Sequence, residues 1–314
     1  MAAKARTYWV VWLRRAVQTA FLLLFFALFL GTAERSINRP GAGARLFFQI
    51  DPLAALLSWL ASHALETGML LSLATAGLTL IFGRWFCGWI CPMGTVHHFF
   101  TSLRNARLKQ RLASGGYTRW HKAKYYALAA FLGSALADVE LAGWLDPFSF
   151  FFRSLAVAVY PALNYAITSL FGWVYNADPT LGHLHLTSVT EPVYGFLRGH
   201  FLTALQPHYF GNLLFGFLFV TALALNFVRA RFWCRYICPL GALLGVVGKN
   251  PVVRLIRAAD SCDNCSLCLA DCQGGADPHS EWKPAECLYC FNCKSGCPSA
   301  VLVFRVTAPE RSRK

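Results

Sequence analysis

Cys262-x2-Cys265-x2-Cys268-x3-Cys272, then Cys287-x2-Cys290-x2-Cys293-x3-Cys297-Pro298, closes this 314-residue chain. Two such runs suit two [4Fe-4S] clusters, because the first three cysteines of each hold one cubane and the fourth crosses to the other. The spacing assigns Cys262, Cys265, Cys268 and Cys297 to one cluster, and Cys272, Cys287, Cys290 and Cys293 to the second. Short intervals let three thiolates converge from one tight loop, and the distant fourth closes the cage. Pro298, lacking an N–H, fits the end of that loop; Gln273 stands at the equivalent place in the first run. Structural zinc prefers separated pairs, and four thiolates at these intervals overfill one tetrahedral ion. Disulfides require an oxidising compartment, and the charge pattern keeps this tail in the cytoplasm.

Upstream the chain changes character. It is 56% hydrophobic with 14% charged residues, and its mean hydropathy is +0.43, the balance of an integral membrane protein. Spans are expected at about 10–31, 67–83, 123–144 and 208–229, since a spanning helix needs roughly 20 apolar residues. The first could pass for a signal peptide, but Gly31-Thr32-Ala33-Glu34-Arg35 makes a poor cleavage site. Segments 53–65 and 148–175 are also apolar. Each follows an Asp-Pro and carries polar or proline interruptions, so both are expected as interfacial or re-entrant helices within outer loops 32–66 and 145–206.

Charge fixes the orientation. From Arg84 to Lys124 there are eight basic residues and no acid, and from Arg229 to Arg257 six more, again without one. Gly143 to Gln206 has two arginines against three acids. The positive-inside rule therefore puts both termini in the cytoplasm of a bacterial inner membrane, and the net charge of +14 is mostly topology. Nucleic-acid binding is not expected, because the basic residues flank hydrophobic spans instead of lining a soluble face.

The apolar part is duplicated. Asp51-Pro52, a span and Arg84-Trp85-Phe86-Cys87-Gly88-Trp89-Ile90-Cys91-Pro92-Met93-Gly94 are matched by Asp146-Pro147, a span and Arg231-Phe232-Trp233-Cys234-Arg235-Tyr236-Ile237-Cys238-Pro239-Leu240-Gly241. A duplication suggests a pseudo-twofold core. Cysteines four apart on a helix share a face, so Cys87, Cys91, Cys234 and Cys238 can converge on the axis as a membrane-level iron or iron–sulfur centre. Arg84, Arg231 and Arg235 could supply the positive field that thiolates need. Redox-active dithiols and plain packing are the alternatives. The two Asp-Pro pairs fall on the expected outer side, where a helix cap is the favoured role and a quinone contact the other.

Together the doubled Cys-x3-Cys-Pro motif and the carboxy-terminal cysteine runs resemble the membrane iron–sulfur proteins of the NapH type, which include the membrane part of NosR. The resemblance covers Asp51 to about Pro298. It implies electron exchange between the quinone pool and periplasmic or cytoplasmic redox subunits, that is, the electron-transfer subunit of a quinol dehydrogenase; supplying electrons for metalloenzyme maturation, or redox sensing, is the alternative.

No Cys-x-x-Cys-His occurs, so c-type haem has no attachment site. His97, His98, His121, His183, His185, His200 and His208 lie near span ends, where hydrogen bonding is the expected role. Trp85, Trp89, Trp144 and Trp233 are expected as an interfacial belt. The fold class is thus mainly α: a four-helix transmembrane domain with an internal pseudo-twofold (residues 1–250) and a small cytoplasmic 2[4Fe-4S] ferredoxin-like domain (residues 251–314). Lipid and quinone are the expected small partners.

Overall fold

Each Asp-Pro opens a helix. Asp51 accepts the Leu53 N–H at 2.8 Å and the Ala54 N–H at 3.4 Å, and Asp146 accepts those of Phe148 at 3.1 Å and Ser149 at 2.9 Å. The proline that follows takes the first helical position, where its missing N–H costs nothing. The computed structural model describes residues 2–34, 42–64, 67–139, 141–177, 180–181, 184–185, 187–202, 209–258 and 262–307.

The architecture is mainly α. Helices α1 (Ala2–Glu34) and α2 (Ala42–Gln49) lead into a first repeat of α3 (Pro52–Ser62), α4 (Leu71–Phe82), α5 (Trp85–Trp89) and α6 (Pro92–Ser102). After α7 (Leu108–Gly115), α8 (Ala123–Leu136) and α9 (Ala142–Leu145), the second repeat runs through α10 (Pro147–Ser154), α11 (Tyr160–Ala177), a small hairpin of β1 (Thr180–Leu181) and β2 (Leu184–His185), α12 (Thr187–His200), α13 (Asn212–Ala224), α14 (Phe232–Tyr236) and α15 (Pro239–Val247). The tail carries β3 (Val253–Arg257), α16 (Leu267–Ala270), α17 (Asn292–Ser295) and β4 (Leu302–Val306). Strands β3 and β4 pair antiparallel from Val253 opposite Val306 to Arg257 opposite Leu302, and so close the tail on itself.

Within the repeats, the two cysteines do not share one continuous helix. Cys87 lies in α5 and Cys91 caps α6; Cys234 lies in α14 and Cys238 caps α15. The proline after each second cysteine pushes that cysteine into an extended conformation, and each pair is split by a turn.

Of the expected spans, 10–31 lies inside α1, whose Tyr8–Thr32 stretch is long and apolar enough to cross a membrane. Spans 67–83 and 208–229 appear as shorter apolar helices, Thr67–Phe82 and Asn212–Phe227, and 123–144 contains the 14-residue α8. The second helix of full crossing length is Pro147–Ala177, 31 residues long, in the segment expected as outer loop with an interfacial or re-entrant helix. Pro147 costs nothing at the first helical position. Pro161 follows a π-helical turn, Leu155–Val159, which takes up the displaced bond, so neither proline ends the helix.

The chain forms two compact units. One comprises residues 1–25, 45–150 and 222–314, and so contains both cysteine motifs and the cysteine-rich tail. The other comprises residues 26–44 and 151–221 and is held by aromatic contacts such as Phe29 with Phe152 at 5.2 Å and Phe151 with Phe219 at 5.9 Å.

Candidate iron–sulfur sites

In the tail, the two runs share one backbone device. Asn264 and Ser266 flank Cys265 with positive φ, and Tyr289 and Phe291 flank Cys290 in the same way. Paired left-handed residues turn the chain tightly around the middle cysteine of each run. Cys272, Cys287, Cys290 and Cys293 line one small cavity, with Leu255, Trp282, Phe291 and Phe304 around them. The Ala276 N–H donates to Cys272 Sγ at 3.2 Å. The other group behaves alike: burial pushes the Cys268 thiol up to about 11, and Cys297, Cys265 and Cys262 add to the rise. Burial likewise pushes Cys287 up to about 12. Such sets are unfavourable as bare thiolates and become favourable around a positively charged metal core. The donor chemistry, the shared loops and the cavity therefore fit iron–sulfur clusters. All twelve cysteines are free.

The four repeat cysteines, all buried, are drawn together by reciprocal bonds between the halves. Arg84 Nη2 donates to the Cys234 carbonyl at 3.1 Å, and Arg231 Nη1 donates to the Cys87 carbonyl at 2.9 Å. Each arginine thus crosses to the other repeat, as a pseudo-twofold requires. The motif glycines make room, since a Cβ on Gly241 would stand 2.5 Å from Arg84 Nη2. Cys91 Sγ accepts the Gly94 N–H at 3.5 Å, and Cys238 Sγ the Gly241 N–H at 3.3 Å. Burial and neighbouring thiols push Cys91 and Cys238 well above their ordinary value. Meanwhile Arg84 Nε, Arg231 Nε and Arg231 Nη2 are buried donors without a partner. Buried cations with spare donors beside buried thiols fit an anionic iron–sulfur core. Among the described residues no three His, Cys, Asp or Glu side chains approach closely enough to share a single ion.

Asp146 lies near enough to Cys91 to act on its charge, and Phe148 meets Phe86 at 5.9 Å. The Asp-Pro caps therefore sit with the cysteine motifs, not at the far side as the loop charges implied. Their carboxyls are both fully buried, and burial pushes both above the ordinary carboxylate range, with Asp146 adding to the rise at Asp51.

The tail is bolted onto this centre. Glu286, 2% exposed, accepts from Arg84 Nη1 at 2.9 Å, from Tyr125 at 3.1 Å and from Lys124. Arg235 leaves the cysteine centre and donates instead to the Gln273 carbonyl at 2.8 Å and to that of Cys272. Arg14, fully buried, donates to Asn292 at 3.3 Å and lies near Cys290. Trp85 packs against the buried cluster of Cys272, Ala276, Cys287 and Tyr289, Trp89 donates to the Tyr289 carbonyl at 3.0 Å, and Trp233, 5% exposed, stacks on Phe150. The belt expectation thus fails for these three; Trp144 alone is exposed.

His97 bonds Asn226, His98 bonds Gln273, and His121 bonds Thr118. His183 and His208 lie outside the described residues, as do the side chains of His185 and His200. Glu286, Lys124 and Arg14 were not singled out from sequence; a lone acid just before Cys287 was the only available signal.

A duplicated cysteine module carrying two further four-cysteine groups defines an iron–sulfur electron-transport protein. The family described as "4Fe-4S binding domain" matches residues 66–110 and 211–258, the parts of the two repeats that contain the paired cysteines. Regulatory protein NosR of Pseudomonas aeruginosa is 25% identical over 92% of this chain and 38% of its own length. Ferredoxin-type protein NapH of Escherichia coli is 26% identical over 80% of the chain and 72% of its own, and YccM of Escherichia coli 26% over 84% and 64%. The chain therefore spans less than two thirds of YccM and NosR. No solved structure matches. The chain is a homologue of NosR, NirI, NapH and YccM, the NapH/NosR-type 4Fe-4S ferredoxin family.

Proposed function

We propose that this protein is the membrane-bound electron-transfer subunit of a quinol dehydrogenase, carrying electrons between the quinone pool and partner redox proteins. The observation that carries the reading is the direct seating of the tail on the repeat centre through Arg84–Glu286 and Arg235–Cys272. When bound, the clusters supply one-electron steps. Cys262, Cys265, Cys268 and Cys297 would hold one, and Cys272, Cys287, Cys290 and Cys293 the other. Cys87, Cys91, Cys234 and Cys238 would hold the membrane-level centre, with Arg84 and Arg231 balancing its charge. A bilayer core about 30 Å thick is too wide for one short hop, so a relay at this level has a clear use.

The membrane reading is supported by surface chemistry. Only 22% of the apolar window in Tyr8–Thr32 and 11% of that in Pro147–Ala177 are buried. So much outward apolar surface calls for lipid. A role in maturation or redox sensing is the second reading, favoured by the match over 92% of the chain to a protein named as regulatory.

The test is iron and sulfide per chain after anaerobic purification, with EPR of the reduced protein. Wild type is compared with the Cys87→Ser, Cys91→Ser, Cys234→Ser, Cys238→Ser variant. The expected result is an excess over about eight irons that disappears in the variant. About eight in both would remove the membrane-level centre. A quinone role for the aspartates is dropped if Asp146→Asn leaves quinol oxidation unchanged.

A further inference from the structure

A cleft of about 370 Å³ opens beside the second cysteine group, with Cys272 on its wall. Arg15, Arg104, Arg111 and Arg235 line it, against one acid, Asp271, which is already paired with Arg111. Arg104 donates to the Ser114 hydroxyl at 3.3 Å; burial, then Arg229 and Arg111, weaken its hold on its proton. Arg235 is spent on backbone carbonyls, leaving Arg15 and Arg104 to receive a ligand, with the Asp271-paired Arg111 beside them. Planar guanidiniums grouped this way are suited to phosphate oxygens.

The cleft's place selects the source of the phosphate. It lies between Arg15 of α1 and Ala230, just past the apolar helix that ends at Phe227. Trp9 and Trp12 are each 65% exposed, and the Arg15 guanidinium lies over the Trp12 ring at 5.3 Å. Exposed tryptophans on an apolar helix mark the headgroup level, and basic pockets between span ends suit anionic headgroups.

We propose that this cleft seats the phosphate headgroup of an anionic phospholipid, holding its charge next to Cys272. The proposal rests on the membrane reading above. Free phosphate shares the same chemistry, and the test separates the two sources.

The detergent-solubilised holoprotein is incubated with phosphatidylglycerol, phosphatidylcholine or inorganic phosphate, and bound adducts are counted by native mass spectrometry. Wild type should retain phosphatidylglycerol under activation that strips phosphatidylcholine. The Arg104→Gln/Arg111→Gln variant should lose that preference about tenfold or more, with iron content and visible spectrum unchanged, while Arg104→Lys/Arg111→Lys keeps most of it. Equal retention of the two lipids, or a preference that survives the Gln variant, overturns the proposal, as does displacement of the lipid by millimolar phosphate. Co-flotation of wild type and variant with phosphatidylcholine vesicles tests the membrane reading separately: if both float but neither prefers phosphatidylglycerol, only the headgroup site fails.

Discussion

Glu286 joins three side chains that sequence treats as unrelated. Its carboxylate meets Arg84 and Lys124, whose side chains are 1% and 0% exposed, and Tyr125 adds a third bond. Removing one partner of a buried ion pair strands the others at a cost of about 3–5 kcal/mol. Glu286→Gln should therefore lower thermal stability sharply, and pairing it with Lys124→Met should recover part of the loss, because one stranded cation is removed. A double variant no more stable than the single would show that Lys124 is not the stranded charge. His121 sets a pH dependence. Tyr117 stacks on it at 4.6 Å, and burial lowers it from 6.5 to about 4. The folded value lies below the unfolded one, so the unfolded chain binds more protons between them. The contribution is full above about 6.5 and is lost as pH falls toward 4. Its size is on the order of 2–3 kcal/mol, and His121→Gln should flatten the unfolding-versus-pH curve over that interval.

At the scale of elements, the motif glycines are contact points. A Cβ on Gly88 would run into the Leu288 carbonyl of the tail, which is backbone and cannot swing away. Gly88→Ala should cost about 1–3 kcal/mol and loosen the tail, seen as faster proteolysis between residues 251 and 262 with little change in α1. Unchanged cleavage would mean that the tail is held elsewhere. The duplication and both cysteine runs were legible because ligand spacing is local and repeats are self-evident. The crossing of Arg84 to Cys234 and of Arg231 to Cys87 was not, because nothing in either copy says whose carbonyl its arginine will meet. Nor was the break before Cys91 foreseen from helical spacing, though Pro92 carried the signal.

For the molecule as a whole, charge counting gave the wrong weight to several cations. Arg84, Lys124, Arg231 and Arg235 are at most 1% exposed; their bonds run to the repeat backbone and to the tail. Counting loops also placed residues 148–175 in an outer loop as an interfacial or re-entrant helix, because their polar residues and proline read as interruptions, whereas Pro147–Ala177 is one helix of full crossing length. The start of that helix lies near Cys91 through Asp146, a motif expected near the cytoplasmic face. At about 1.5 Å per residue a 31-residue helix is long enough to cross a 30 Å core, and a crossing would put its far end outside. Alkaline phosphatase fused after Ala177 should then be active, and a fusion within residues 104–118 inactive. Deleting residues 160–177 upstream of the first fusion should abolish its activity, whereas a purely interfacial helix would leave it unchanged. Activity at both sites, or neither, would rule out a crossing by Pro147–Ala177 and return the segment to one face of the membrane.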